Sequence, residues 1–132
     1  MGQGLSPFCV YTIRHRQDLD KAYRDGKSGE FTENKVWKTG HRLFQQAQRN
    51  GQRMPVVFAC AAVTDGLLYH AVLSGLMLDE ADSTTSYEFT HLKPIEGDLP
   101  LSTLRLRSTN RPLSDSYIRP YAICHTPSFI GE

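Results

Sequence analysis

The chain has 132 residues, enough for one domain that buries a core without metals or disulfide staples. Hydrophobic residues make up 39% and charged residues 22%, ordinary values for a globular protein, and no apolar run approaches the ~18 residues a membrane helix needs. With 15 Lys and Arg against 14 Asp and Glu, the formal net charge of +1 excludes a global field that would draw the protein onto nucleic acid, so polyanion binding must come from local asymmetry.

In chain order, "PFCVYTI" (7–13) is β-branched and aromatic and predicts a strand ending in the polar "RHRQD". "DLDKAYRDG" then places Leu19, Ala22 and Tyr23 on one helical face, with Asp18 as N-cap and Gly26 as stop. "KSGEFTEN" reads as loop. After Trp37 a second helix is expected, with Leu43, Phe44 and Ala47 sharing a face and Gly51 closing it.

The second half changes period. "MPVVFACAAV" (54–63) is a continuous apolar run of strand length, and "TDG" turns it into a strand over 67–78, making a hairpin. "TTSYEFTHL" (84–92) alternates, with Tyr87, Phe89 and His91 on one side. "STLRLRS" alternates Leu with Thr or Arg, and "SYIRPYAIC" (116–124) predicts the closing strand despite Pro120. A strand, two helices and then four or five strands predict an α+β fold: a small curved sheet or β-barrel of five to six strands with two or three covering helices, in a single domain over 1–132. A parallel α/β sheet is not expected, because no helix separates the later strands.

The N-terminal stretch lacks the basic and apolar pattern of a signal peptide, which gives a cytoplasmic expectation. Cys9, Cys60 and Cys124 are far apart and odd in number, so reduced thiols are expected. No zinc spacing, G-x-S-x-G, H-E-x-x-H or phosphate-cradling glycine loop occurs, and the five histidines have no ligand-type helical partners. Neither a metal nor a cofactor is expected. A Cys–His dyad remains an open arrangement, although Cys60 lies in an apolar run that makes a thiol inert.

"KVWKTG" (35–40) carries the sole tryptophan. Its neighbours Lys35, Lys38, Thr39, Gly40 and His41 look like a solvent-facing helix entrance. Trp37 is either a half-buried lid on the helix pair or a platform for a planar base. Basic residues concentrate in "TIRHR", "KVWKTGHR" and "RLRSTNRPLSDSYIRPY". Arg105, Arg107, Arg111 and Arg119 are solvated strand-face charges or, with Arg14 and Arg16, a phosphate-binding rim.

The segment "YTIRHRQDLDKAYRDG…NKVWKTGHRLFQQAQRNGQRMPVVFACAAVTDGLLYHAVLSG" resembles the core of the YTH domain, within the PUA-like group that also holds EVE and ASCH domains. Ile13-Arg14, Asp18, Val36-Trp37-Lys38-Thr39, Val56 to Ala61 and Ala71 to Gly75 fall in the family's order, and "YEFTHLKPI" and "STNRPLSDS" resemble its later segments, over about residues 9–119. The resemblance implies a non-catalytic reader of a modified, methylated, flipped-out base in DNA or RNA, free of membrane and acting as a module or partner of a larger restriction or RNA-processing system. Carried over by position, Trp37 is the first cage wall, Thr39 offers its backbone near the base edge, Asp18 bonds the base, and Arg14 and Arg111 face phosphates. Lys38 belongs to the same pocket, and Arg16 and Arg119 to the phosphate rim. The chain departs from the family in the loop "DEADSTT", which holds no aromatic, so Tyr69, Tyr87, Phe89 and Tyr121 compete for the second wall. Two other readings stay open: an ASCH-like enzyme hydrolysing nucleic acid or a nucleoside through Lys38, Asp18 or a His, and a protein-interaction module with a structural Trp37. The reader hypothesis expects the fold to survive Trp37→Ala.

Overall fold

The apolar run at 55–60 becomes the middle of a sheet because it has apolar partners on both faces. In the computed structural model, which describes residues 4–60, 66–97, 99–114 and 121–130, the elements run β1 (Phe8–Arg14), α1 (Arg16–Arg24), β2 (Gly29–Glu33), α2 (Lys38–Arg49), β3 (Pro55–Cys60), β4 (Leu67–Asp79), β5 (Thr84–Pro94) and β6 (Tyr121–His125). The fold is α+β, with a six-stranded mixed sheet in the order β2-β5-β4-β3-β1-β6. Val56 and Phe58 of β3 join the larger cluster beneath Leu19 of α1 and Leu43, Phe44 and Ala47 of α2. Val57 and Ala59 join a second cluster with Cys9, Tyr11, Leu104 and Leu113. A strand buried on both sides needs no polar alternation.

The expected hairpin β3–β4 is antiparallel, but β1 runs parallel to β3. The sheet is therefore mixed, and β1–β3 is its one parallel strand pair among the described residues. A parallel pair needs a long crossover, and α1, β2 and α2 supply it.

Helix α1 also starts earlier than predicted. His15 is its N-cap, without a side-chain cap bond, and the N–H groups of Asp18 and Leu19 donate to the His15 carbonyl at 3.1 and 3.3 Å. Asp18 is therefore inside the first turn rather than the cap, where a carboxylate is favoured by the helix dipole. Its Oδ2 lies 3.4 Å from Arg14 Nη2.

The segment read as loop contains an edge strand. β2 pairs antiparallel with β5, Phe31 opposite Tyr87 and Thr32 opposite Ser86. With one partner strand and one large apolar residue, it shows little of the pattern that marks a buried strand. On β5 the expected alternation holds for Tyr87 and Phe89 and then breaks: His91 has φ +58°, so it is exposed and Leu92 turns into the core.

The predicted strand around 102–108 is a 3-10 turn (Leu101–Thr103) followed by isolated bridges. This segment covers the outer edge of β6, with Arg107 N–H donating to the Ile123 carbonyl at 2.9 Å and His125 N–H to the Arg105 carbonyl at 2.8 Å. An edge closed this way offers no open template for another strand. Of the closing strand expected at 116–124, β6 begins at Tyr121; residues 115–120 lie outside the described residues, as do 61–63 of the strand expected at 54–63 and 64 and 65 of the hairpin turn after it.

The sheet is strongly curved. Strands β1 and β2 stand four places apart in hydrogen-bonding order, about 19 Å in a flat sheet, yet Arg14 Nη1 reaches Glu33 Oε2 at 3.0 Å.

Candidate functional site

The approach to α2 is pinned before the helix begins. Trp37 is the N-cap, with φ −90° and ψ 70° and no side-chain cap bond. Its N–H donates to Thr85 Oγ1 of β5 at 2.9 Å, and the buried Thr85 hydroxyl donates to the Lys35 carbonyl at 2.6 Å. The Trp37 carbonyl accepts the His41 N–H at 2.9 Å, closing the first turn.

This anchoring turns the indole inward. Trp37 is 1% exposed, which corrects the expectation of a solvent-facing ring. Its faces stack on Tyr87 of β5, at 4.9 Å between centroids and 23° between planes, and on Tyr121 of β6, at 4.7 Å and 6°. The flanking residues remain outside, with Lys35 and Lys38 exposed. Local composition misled because the ring's partners come from β5 and β6, far along the chain.

Tyr121 is half-buried, and its hydroxyl oxygen accepts the Gly40 N–H of α2 at 2.8 Å. Burial raises the pKa of this hydroxyl, while the Gly40 bond and the charge of Arg42 lower it. The first turn of α2 holds no acidic residue. Cations there oppose the helix dipole, and among the described residues Lys38 has only an exposed contact with Glu80 at 3.8 Å to offset its charge.

Behind the stack runs a polar chain. Tyr87 donates its hydroxyl to Glu33 Oε2 at 3.1 Å, Glu33 takes Arg14, and Arg14 reaches Asp18. The guanidinium lies over the Phe31 ring at 4.0 Å, and its Nε has no hydrogen-bond partner among the described residues. Burial, then the Glu33 charge, pushes the Tyr87 hydroxyl pKa far up.

The structure thus connects Trp37, Tyr87, Arg14 and Asp18, and puts Lys38 and the half-buried Thr39 in the turn that follows the indole. Arg14 is turned onto carboxylates rather than outward as expected for a phosphate ligand. Tyr69 is held elsewhere: its hydroxyl donates to Asp20 Oδ1 at 2.6 Å, and burial followed by that bond raises its pKa to about 12. Arg16 is exposed at the start of α1, and its charge acts on that Tyr69 hydroxyl. Arg111 is exposed in the turn beside β6, with its N–H donating to Thr109 Oγ1 at 3.3 Å. Arg119 lies outside the described residues. Sequence reasoning missed Glu33, hidden in the supposed loop, and Thr85, which no local pattern marks; Gly40, a glycine three residues into a helix, was a readable sign of close approach.

Other chemistry is spare. Among the described residues no group of three or more His, Cys, Asp or Glu could hold a metal ion, and no helix is long and apolar enough to cross a membrane. Cys9 and Cys124 face each other across β1 and β6 as free buried thiols, the latter pushed up to about 12 by burial. Such thiols are poor nucleophiles. A cleft of about 430 Å³ lies at the other end of α2, lined by Phe44, Gln48, Arg53, Met54, Thr90 and His91 among others, and contains none of the residues predicted for the site. The chain matches no protein-family model and no curated protein.

Proposed function

We propose that this chain is a PUA-like, non-catalytic nucleic-acid-binding domain that takes a modified, flipped-out base of DNA or RNA against the indole of Trp37. The observation that carries the reading is the stack itself: Trp37 lies nearly parallel to two phenol rings, 4.7 and 4.9 Å away, at the start of a helix whose first turn holds Lys38 and no acid. A base on one indole face gains roughly 1–3 kcal/mol. A phenol on that face contributes about 0.5–1.5 kcal/mol and its hydrogen bond to Gly40 about 1 kcal/mol, so exchanging ring for base is close to balanced. Extruding a base from a duplex costs a few kcal/mol more, which favours single strands. The curvature that lets β5 and β6 share one indole is what a PUA-like barrel would supply, and the order of motifs resembling YTH domains agrees with it.

The burial of Trp37 favours a second reading, in which the indole is only a core keystone. A titration separates the two. Plain, methylated and hydroxymethylated single-stranded oligonucleotides are added at fixed low salt while the emission of the sole tryptophan is followed. The reader hypothesis expects saturable quenching, strongest for one modified base. No binding to any oligonucleotide at low salt leaves the keystone reading standing and removes the other.

A further inference from the structure

We propose that Tyr121 is a built-in occupant of the ligand slot: its phenol ring stands where a planar heterocycle binds, and a ligand must displace it. The inference rests on the reading of Trp37 as a stacking face and adds what guards that face and which ligand edge it accepts.

Two rings flank the indole, and only one is built to leave. Tyr87 is fully buried, touches the rings of Phe31, Phe58 and Phe89 within 6.5 Å, and is tied through its hydroxyl to Glu33. Removing it would dismantle the core. Tyr121 is half-buried, begins a five-residue strand at the end of the sheet order, and among the described residues is held at its tip by a single backbone N–H, that of Gly40. Its plane departs from the indole plane by only 6°, the geometry of a stacked base.

Gly40 completes the argument. A Cβ there would stand 3.0 Å from the Tyr121 hydroxyl oxygen and 3.5 Å from its Cε1, so an ordinary side chain would crowd the phenol. Glycine is a poor choice within a helix, and at this position it leaves room for a ring to approach the backbone. The Gly40 N–H then defines the ligand. Whatever replaces Tyr121 must be flat and must carry a hydrogen-bond acceptor, a ring nitrogen or carbonyl oxygen, at the edge facing the helix. The exposed Lys38 and Arg42 on the same helix suit an attached phosphate. A nucleotide meets all of these demands.

The test uses the tryptophan emission of the whole chain, wild type, Tyr121→Ala and Tyr121→Phe, the latter lacking only the hydroxyl that holds the ring to Gly40, with acrylamide as quencher and adenosine and N6-methyladenosine 5′-monophosphates as probes. Both variants are expected to raise the quenching constant several-fold, to bind at least one probe several-fold more tightly than wild type, and to lose the added quenching when that probe is bound. If Tyr121→Ala stays folded by circular dichroism with its indole still shielded, the occupant assignment is overturned. If the wild type binds oligonucleotides but neither variant gains affinity, Tyr121 is not a competitor, and the reader hypothesis survives alone. If the indole opens and neither probe nor oligonucleotide binds any form, both this inference and the base-binding reading fail. Should Tyr121→Ala not fold, Tyr121→Phe, which keeps every aromatic ring, decides by the same criteria.

Discussion

Arg14 at the end of β1 and Glu33 at the end of β2 meet at 3.0 Å, with the guanidinium lying on the Phe31 ring, and so join strands that the sheet order keeps four places apart. Both side chains are mostly shielded, at 21% and 16% exposure, so the pair is not the weak contact of an open surface. Arg14→Met and Glu33→Gln should each lower unfolding free energy by about 1–3 kcal/mol, because each leaves a partly buried polar partner unmatched. The double variant should lose less than the two singles together, with a coupling of about 0.5–3 kcal/mol. Urea denaturation of the four forms measures it.

Trp37 fills the space between β5 and β6, so Trp37→Ala should cost about 3–5 kcal/mol. That is a large share of the roughly 5–15 kcal/mol a domain of this kind holds. The reader hypothesis expects the fold to survive this change, and the size of the loss tests that. Trp37→Phe keeps a ring in the stack and should retain more stability than the alanine variant. Thermal melts followed by circular dichroism, which does not depend on the lost indole, compare the two.

His70 on β4 has its pKa lowered, first by burial and then by the charge of Lys93. A histidine that binds its proton less readily when folded contributes its full stability above the unfolded value near 6.5, and loses it as pH falls below that value. Wild-type stability should decline from pH 7 to pH 5, and His70→Gln should decline less over that window. Urea midpoints at each pH provide the comparison; equal slopes for both chains would remove His70 as the cause.

Gly66 enters β4 at φ +79°, and a Cβ there would run into the Leu99 carbonyl oxygen that accepts the Leu67 N–H. Gly66→Ala should destabilise by more than the ~1 kcal/mol of left-handed strain alone. Gly51→Ala, at φ +66° with open space around it, is the control that reports strain without collision. The difference in melting temperature between the two variants isolates the clash.

Much of the fold was legible. The apolar run at 55–60 and the face formed by Leu43, Phe44 and Ala47 rest on local period, and both are where the pattern puts them. What local pattern could not carry were β2, whose single large apolar residue looks like loop, and the reversal at His91, which depends on a left-handed backbone that no residue type there demands. The site divides along the same line. Tyr87 and Tyr121 were both foreseeable neighbours for Trp37, since a flat ring seeks others, but the direction of the indole was not. It is set by the hydrogen bond from its own backbone to Thr85, 48 residues away.

The position of β1 governs how the molecule must come together. Its two neighbours are β3, reached only after both helices and β2, and β6, the last strand of the chain. Only β3–β4 and β4–β5 join strands consecutive in sequence, so these antiparallel pairs are expected to form first, with β1 pairing later because each of its pairings closes a long loop. Such non-local wiring slows folding toward the millisecond-to-second range. The Tyr121 half of the stack on Trp37, which needs β6 in place, is then expected among the last contacts to lock, so the emission of the lone indole should carry a late phase alongside the earlier one set by Tyr87.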